Sequence, residues 1–249
     1  MSSITENENR IGRITSSNIH KIMTTGKGIH GFGSPAITYI NELNLERRMN
    51  VSLKQEVYSR PMAWGKLVEM WVFKDDNYLD TSFESCGDKT LSHPTCEFWA
   101  GSPDYKSISK SIIAECKGYE RKNFACYADA IATQDTEIIK RDCPDEYWQM
   151  VSNAIILGFT KIQPVLFMPY KSELADIRLF AGDVDVEDPF MFKWISDSMD
   201  AQLPYLQDKG YYKNFNTCIL EVPEKDIQLL TSRVLLAGTL LTERYKITE

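Results

Sequence analysis

Residues 112–117 read Ile-Ile-Ala-Glu-Cys-Lys, an apolar, β-branched run that ends abruptly in charge. A run this short and this apolar forms a buried strand, and on a strand residues two apart share a face. Glu115 and Lys117 therefore point one way, while Cys116 points the other way as a small apolar residue. Upstream, Pro103-Asp104 is followed by the polar stretch Tyr-Lys-Ser-Ile-Ser-Lys-Ser, which predicts a turn between adjacent antiparallel strands. Such a hairpin brings Asp104, Glu115 and Lys117 to one point.

Two carboxylates beside one ammonium suit a hard cation such as Mg²⁺, and the lysine can hold or activate water for attack on a phosphodiester. Ordinary surface charge on a hairpin is the competing explanation. A second acidic-x-Lys triplet, Glu120-Arg121-Lys122, follows Gly118, a strand terminator, and reads as solvated loop or helix-start charge.

At 249 residues, with 43% hydrophobic and 25% charged residues, the chain fits one large domain with a substantial core. No run of 18 apolar residues occurs and the N-terminus is polar, so a cytoplasmic protein with no membrane partner is expected. The six cysteines include no Cys-x-x-Cys pair, so neither zinc nor an iron–sulfur cluster is indicated. A net charge of −7 argues against coating nucleic acid by bulk electrostatics, but leaves room for a metal site that neutralises carboxylates and for a local basic groove.

Residues 1–9 read as disordered. Thr15-Ser16-Ser17 offers N-caps for a short helix through Ile19, Ile22 and Met23, and four glycines between Gly26 and Gly33 predict a flexible loop. Ser34-Pro35 opens a helix with Ile37, Ile40, Leu43 and Leu45 on its apolar face, and another runs from Pro61 to about Phe73. Strands are predicted near 81–85, 96–101, 111–117, 161–169 and 177–181, and helices at 122–133 and 145–158. The last 60 residues read as mainly helical, with a long segment from Pro223 to Tyr245. The order implies an α/β (α+β) arrangement, a mixed sheet flanked by helices, with residues 1–249 as one domain and about 171–249 as a helical extension.

Three further groups stand near the hairpin motif in this reading. On the helix containing Ala63-Trp64-Gly65-Lys66-Leu67-Val68-Glu69, Glu69 lies off the apolar stripe, and Gly65 one turn back leaves room over it. A glycine inside a helix costs about 1 kcal/mol relative to alanine, which favours a close-approach role over a merely tolerated residue. On the helix of Asp145 to Asn153, Glu146, Gln149 and Asn153 share a polar side, and Gln149 is a candidate to orient water or bind phosphate, against the alternative of an exposed amide. Arg10, with the hydroxyls of residues 15–17 at a helix start, makes a candidate anion site, although caps commonly serve only their helix.

In this order, Arg10-Ile-Gly-Arg-Ile-Thr-Ser-Ser17, Ala63-Trp-Gly-Lys-Leu-Val-Glu69, Gly101-Ser-Pro-Asp104, Glu115-Cys-Lys117 and the Tyr147–Gln149 helix resemble the lambda-exonuclease and YqaJ-like viral recombinase branch of the PD-(D/E)xK nucleases. The match covers roughly residues 10–170. It implies a restriction-endonuclease-like core and digestion of linear double-stranded DNA from a 5′ end, releasing 5′ mononucleotides and leaving a 3′ single strand for phage-type recombination. Asp104 and Glu115 would bind Mg²⁺ (or Mn²⁺), with the Cys116 or Ala114 carbonyl as an extra ligand. Glu69 would complete the cluster through a second ion, and Lys117 would position the water. Arg10, Ser17 and Ser102 fall where the family binds the terminal 5′-phosphate, and Arg121 and Lys122 are candidates for the DNA backbone. The resemblance also implies a trimeric ring and a single-strand annealing partner. One departure is that the family's Gln-x-Gln pair is represented here by Gln149 alone, followed by Met150 and Val151. An endonuclease with the same metal site, and a catalytically silent DNA-binding protein, are the alternatives. Holding like charges together without a cation to use them argues against the latter.

Overall fold

The computed structural model describes residues 10–53, 59–74, 78–86, 89–186, 188 and 190–243. In chain order these comprise β1 (Ile14–Thr15), α1 (Ile19–Met23), α2 (Ser34–Met49), α3 (Arg60–Lys74), β2 (Glu84–Ser85), β3 (Leu91–His93), β4 (Cys96–Gly101), β5 (Tyr105–Ser107) and β6 (Ile112–Lys117). There follow α4 (Arg121–Ala132), α5 (Thr136–Asp142), α6 (Pro144–Leu157), β7 (Lys161–Phe167), α7 (Leu174–Asp183), α8 (Lys193–Ser196), β8 (Phe215–Thr217), β9 (Leu220–Glu221) and α9 (Glu224–Gly238).

The main sheet has the order β2-β5-β6-β7-β8, with β9 also paired to β7. Strands β6 and β7 run parallel, which requires the crossover that α4, α5 and α6 provide, and the other pairings are antiparallel. Strand β6 is buried on both faces, which is why it reads as an almost unbroken apolar run. Ile113 faces one core with Tyr127, Tyr147 and Val151, while Ile112, Ala114 and Cys116 face a second core with Trp64, Leu67 and Val68 of α3. Pro164 sits within β7, where a proline costs a ladder donor. β8 ends opposite Val165 and β9 begins opposite Ile162, so Pro164 falls at the break between them.

Against expectation, Ile177–Ala181 is not a strand. It lies in α7, where Leu174, Ile177 and Ala181 are buried at helical spacing, while Leu179 is exposed. A window of five residues was too short to separate the two periods. The polar stretch after Asp104 contributes β5 before it turns, and on α2 the buried face is Ala36, Tyr39, Ile40 and Leu43, with Leu45 exposed. α5, opened by the Asp135 side chain, was not anticipated. The last 60 residues are less helical than read: β8 and β9 join the sheet and α9 ends at Gly238. Residues 1–9 and Tyr245 lie outside the described residues.

A second, three-stranded sheet of order β1-β4-β3 lies at the N-terminal side, with β1 parallel to β4. Its register, Thr15 opposite Ala100, sets Ser16 beside Gly101. A chain of donors then fixes this corner to α6. Trp99 Nε1 donates to Ser152 Oγ at 2.9 Å, leaving that hydroxyl to donate to Ser16 Oγ at 2.7 Å, and Ser16 in turn to the Ala100 carbonyl at 3.4 Å. Gly101 permits the approach, because a methyl group there would overlap Asn153 Oδ1 and Ser16 Oγ. Gly101→Ala is therefore expected to cost about 1–3 kcal/mol by overpacking. That is several degrees of melting temperature for a chain of this size, and an unchanged thermal midpoint would contradict this packing.

Candidate active site

Asp104 immediately precedes β5, and its Oδ2 accepts the Cys116 backbone N–H at 2.7 Å, pinning the carboxylate to β6. Glu115 is 1% exposed. Its Oε2 accepts from Gln149 Nε2 at 2.8 Å and its Oε1 accepts from Asn153 Nδ2, both amides standing one turn apart on α6. Lys117 Nζ lies 3.8 Å from Glu115 Oε2 and donates to Gln149 Oε1 at 3.2 Å. Gln149 thus bridges the two charged groups, its amino end on the carboxylate and its carbonyl end on the ammonium.

Asn153 is the residue the sequence reading left without a role. The signal was present in its i,i+4 spacing from Gln149. A second amide is supplied one helical turn on, not two residues away as in Gln-x-Gln.

Glu69 comes from α3, whose backbone is fixed by the Tyr105 hydroxyl donating to the Glu69 carbonyl at 3.0 Å. Glu69, Asp104, Cys116 and Lys117 line one cavity of about 760 Å³, together with Gly65, where an added methyl group would meet nothing within 4 Å. The C-terminal part of the chain contributes Trp194, Gln202 and Pro204 to its lining.

The electrostatics are under-compensated. Burial raises the Glu115 carboxyl well above its ordinary value, and the charge of Asp104 raises it further, against a smaller opposing pull from Lys117 and Asn153. Burial also raises Asp104, with Lys117 and the Cys116 N–H opposing. For Lys117, burial works against the charged form, but the fields of Glu115 and Asp104 outweigh it and keep the ammonium above its usual value. One ammonium faces two carboxylates, Glu115 buried and Asp104 half-buried.

Among the described residues no three Asp, Glu, His or Cys side chains gather as a ready cage for an ion; Glu69 lines the cavity with Asp104, and its charge adds to those that raise Glu115. The donor set nonetheless fits Mg²⁺. That ion is commonly held by one or two carboxylates, with water and substrate phosphate filling its other positions, and the uncompensated charge is of the sign it neutralises.

Arg10 and Ser17 come together: Arg10 Nη2 donates to Ser17 Oγ at 3.1 Å, and Ser17 Oγ shares a 3.4 Å hydrogen bond with Thr15 Oγ1. None of these hydroxyls caps a helix. Ser102, two residues before Asp104, is 3.3 Å from Thr90 Oγ1. Arg121 and Lys122 stand outside the cluster at the start of α4. The Arg121 guanidinium lies 4.7 Å over the Tyr205 ring and donates to the Tyr205 carbonyl at 3.1 Å, while Lys122 is exposed.

The sequence matches no family model and no curated protein. Its fold is shared with solved structures. It is similar to an alkaline exonuclease (LHK-Exo) from Laribacter hongkongensis, at 15% identity over 96% of this chain and 92% of that one, with a TM-score of 0.61. The same figures hold for LHK-Exo in complex with dAMP. It is also similar to a phage related exonuclease from Haemophilus somnus 129PT, at 13% identity over 92% of each chain, with a TM-score of 0.57. These likenesses establish the restriction-endonuclease-like fold, a mixed sheet flanked by helices.

Because both carboxyls titrate higher in the folded chain than in the unfolded one, their protonation favours folding. That stability is complete below the ordinary carboxyl range, about pH 4, and is lost as pH rises through the raised folded values. Asp104→Asn removes one charge and keeps an acceptor for the Cys116 N–H. In EDTA its melting temperature should exceed that of wild type at pH 8, and the gap should narrow at pH 5; a gap that widens on acidification contradicts the charge repulsion described here.

Proposed function

We propose that this chain is a Mg²⁺-dependent deoxyribonuclease that removes 5′ mononucleotides from the ends of linear double-stranded DNA and leaves a 3′ single strand for recombination. The observation that carries the reading is the hydrogen-bonded set Glu115, Gln149 and Lys117 beside Asp104, with Asp104 and Lys117 lining a cavity large enough for a nucleotide. The shared fold with two exonucleases over more than nine-tenths of the chain supports it.

Asp104, Glu115 and the Cys116 carbonyl would hold the ion, and Glu69 would serve a second one or its water. Mg²⁺ supplies Lewis-acid polarisation of the phosphodiester. Lys117, kept as an ammonium, has no lone pair with which to accept a proton, so it acts as a donor. It orients the attacking water and balances charge building on the phosphoryl oxygens. Gln149 fixes Lys117 and Glu115 relative to each other, and Asn153 fixes the second Glu115 oxygen.

Arg10, Ser17 and Ser102 would anchor a terminal 5′-phosphate, a guanidinium and hydroxyls being apt donors for that group. The anchored end sets the next scissile bond against the carboxylates. Arg121 and Lys122 would contact the backbone of the duplex, and a trimeric ring with a single-strand annealing partner would complete the pathway.

Purified protein with Mg²⁺ should degrade linear duplex DNA, with activity lost in EDTA and reduced by about a hundred- to a thousandfold in Asp104→Ala and in Lys117→Ala, the scale at which removal of key electrostatic groups acts. Degradation that persists in EDTA removes the metal mechanism. Arg10→Ala should slow digestion of 5′-phosphorylated ends by about tenfold or more, as loss of a charge-assisted contact does, with a smaller effect on 5′-hydroxyl ends. Equal cutting of closed circles would instead make the protein an endonuclease.

A further inference from the structure

Outside the cavity, residues 205–213 read Tyr-Leu-Gln-Asp-Lys-Gly-Tyr-Tyr-Lys, three tyrosines and two lysines against one aspartate in a chain whose net charge is −7. The segment starts at the cavity rim, since Pro204 belongs to the lining and the Tyr205 ring lies under the Arg121 guanidinium at the start of α4. It ends further along the same helix, where the Tyr212 hydroxyl donates to Asp129 Oδ2 at 3.2 Å and the Tyr212 ring meets Phe124 at a right angle. From Arg121 to Asp129 the helix advances about 12 Å.

The loop is held in place at both ends. The Leu206 N–H donates to the Pro169 carbonyl at 2.9 Å, the Leu206 carbonyl accepts the Lys171 N–H at 2.8 Å, and the Gly210 N–H closes a turn on the Gln207 carbonyl at 3.1 Å. Three carboxylates are engaged in the same packing: Asp208 accepts from Ser172, Asp129 from Tyr212, and Glu173 from Asn214 and the Tyr170 N–H. Lys171, Lys209 and Lys213 are exposed, and none of their ammonium groups has a carboxylate partner among the described residues. Between the two loop lysines, Tyr211 is 90% exposed. Its ring contact is perpendicular, with Tyr212 at 5.0 Å between centres, and among the described residues no cation lies over it.

An open aromatic ring between ammonium groups on a fixed loop matches unpaired nucleic acid, whose bases stack on aromatic faces while lysines follow its phosphates. Bases inside a duplex offer no such face. The cleaved strand is no candidate occupant, because it leaves as mononucleotides, which cannot reach from the cavity to Tyr211. The spared 3′ strand alone stays both single and long. We infer that the 205–213 loop and Lys171 form an outer track for that spared strand, with a base on Tyr211 and phosphates on the three lysines. This rests on the nuclease reading. It adds that the enzyme keeps hold of its product strand while the cavity works on the other one.

The test uses the full chain, with Ca²⁺ in place of Mg²⁺, and fluorescein-labelled duplexes that are either blunt or carry a 3′ overhang of about ten nucleotides, ample for the ~12 Å span at ~3.4 Å per nucleotide. Wild type should bind the overhang duplex about tenfold more tightly than the blunt one, the size that one base–aromatic stack carries. Tyr211→Ala should remove most of that preference without changing blunt-duplex binding, while Tyr211→Phe should keep it. An overhang of abasic residues should reproduce the Tyr211→Ala result in wild type and cause no further loss in the variant. Lys209→Gln and Lys213→Gln should each lower the slope of log affinity against log salt for the overhang duplex by about 0.7.

Equal wild-type affinity for blunt and overhang duplexes overturns the track. So does a Tyr211→Ala variant of unchanged melting temperature that keeps the preference, or that weakens blunt duplex as much, which would make the surface a contact for the duplex backbone. Degradation of linear duplex in Mg²⁺ is scored separately. Degradation without an overhang preference keeps the nuclease reading and loses the track, and a Tyr211-dependent preference without degradation does the reverse.

Discussion

Glu115 is a carboxylate with 1% exposure in the middle of a packed sheet, and the surrounding architecture compensates for that placement. Removing such a group from water is costly unless its oxygens are hydrogen-bonded and its charge is met. Both oxygens accept an amide donor from α6, and the ammonium of Lys117 stands on the same strand face. The compensation is incomplete because Asp104 adds a second carboxylate to the same small volume. A fold stabilised only for its own sake would gain by replacing one of these charges.

Helix α6 links this cluster to the N-terminal corner. Gln149 and Asn153 hold Glu115, and Ser152, next in sequence to Asn153, holds Ser16 and Trp99. The candidate phosphate anchor and the candidate metal pair are therefore mounted on adjacent residues of one rigid element. Gly101 makes the arrangement possible by having no side chain where Asn153 and Ser16 meet β4.

The C-terminal part of the chain, which carries no motif of its own, closes the structure twice. β8 and β9 complete the sheet on the far side of β7, and Trp194, Gln202 and Pro204 join the lining of the cavity that holds Asp104 and Glu69. Tyr205 holds Arg121 away from the carboxylate cluster, whereas Trp194 holds Arg60 at the cavity itself. Two arginines that look alike in sequence thus have different company, and only one of them lines the cavity.

The strand of residues 112–117, its hairpin partner at Asp104, the helix carrying Glu69 and the helix carrying Gln149 were all legible from local pattern, since period and alternation depend only on neighbours along the chain. The sheet-and-helix class followed from their order. The helix over Ile177–Ala181 was misread because its periodicity extends beyond the segment considered, and β8 and β9 were missed because strands of two or three residues leave no periodic trace. The sequence by itself determined which carboxylate and which lysine share a strand face, and that a hairpin brings Asp104 beside them. Only the tertiary structure decided that Asn153 clasps Glu115, that Glu69 and Asp104 line one cavity and that Arg60 lies over Trp194 in its wall. Those contacts join residues far apart in the chain, and no local propensity encodes a distance between them.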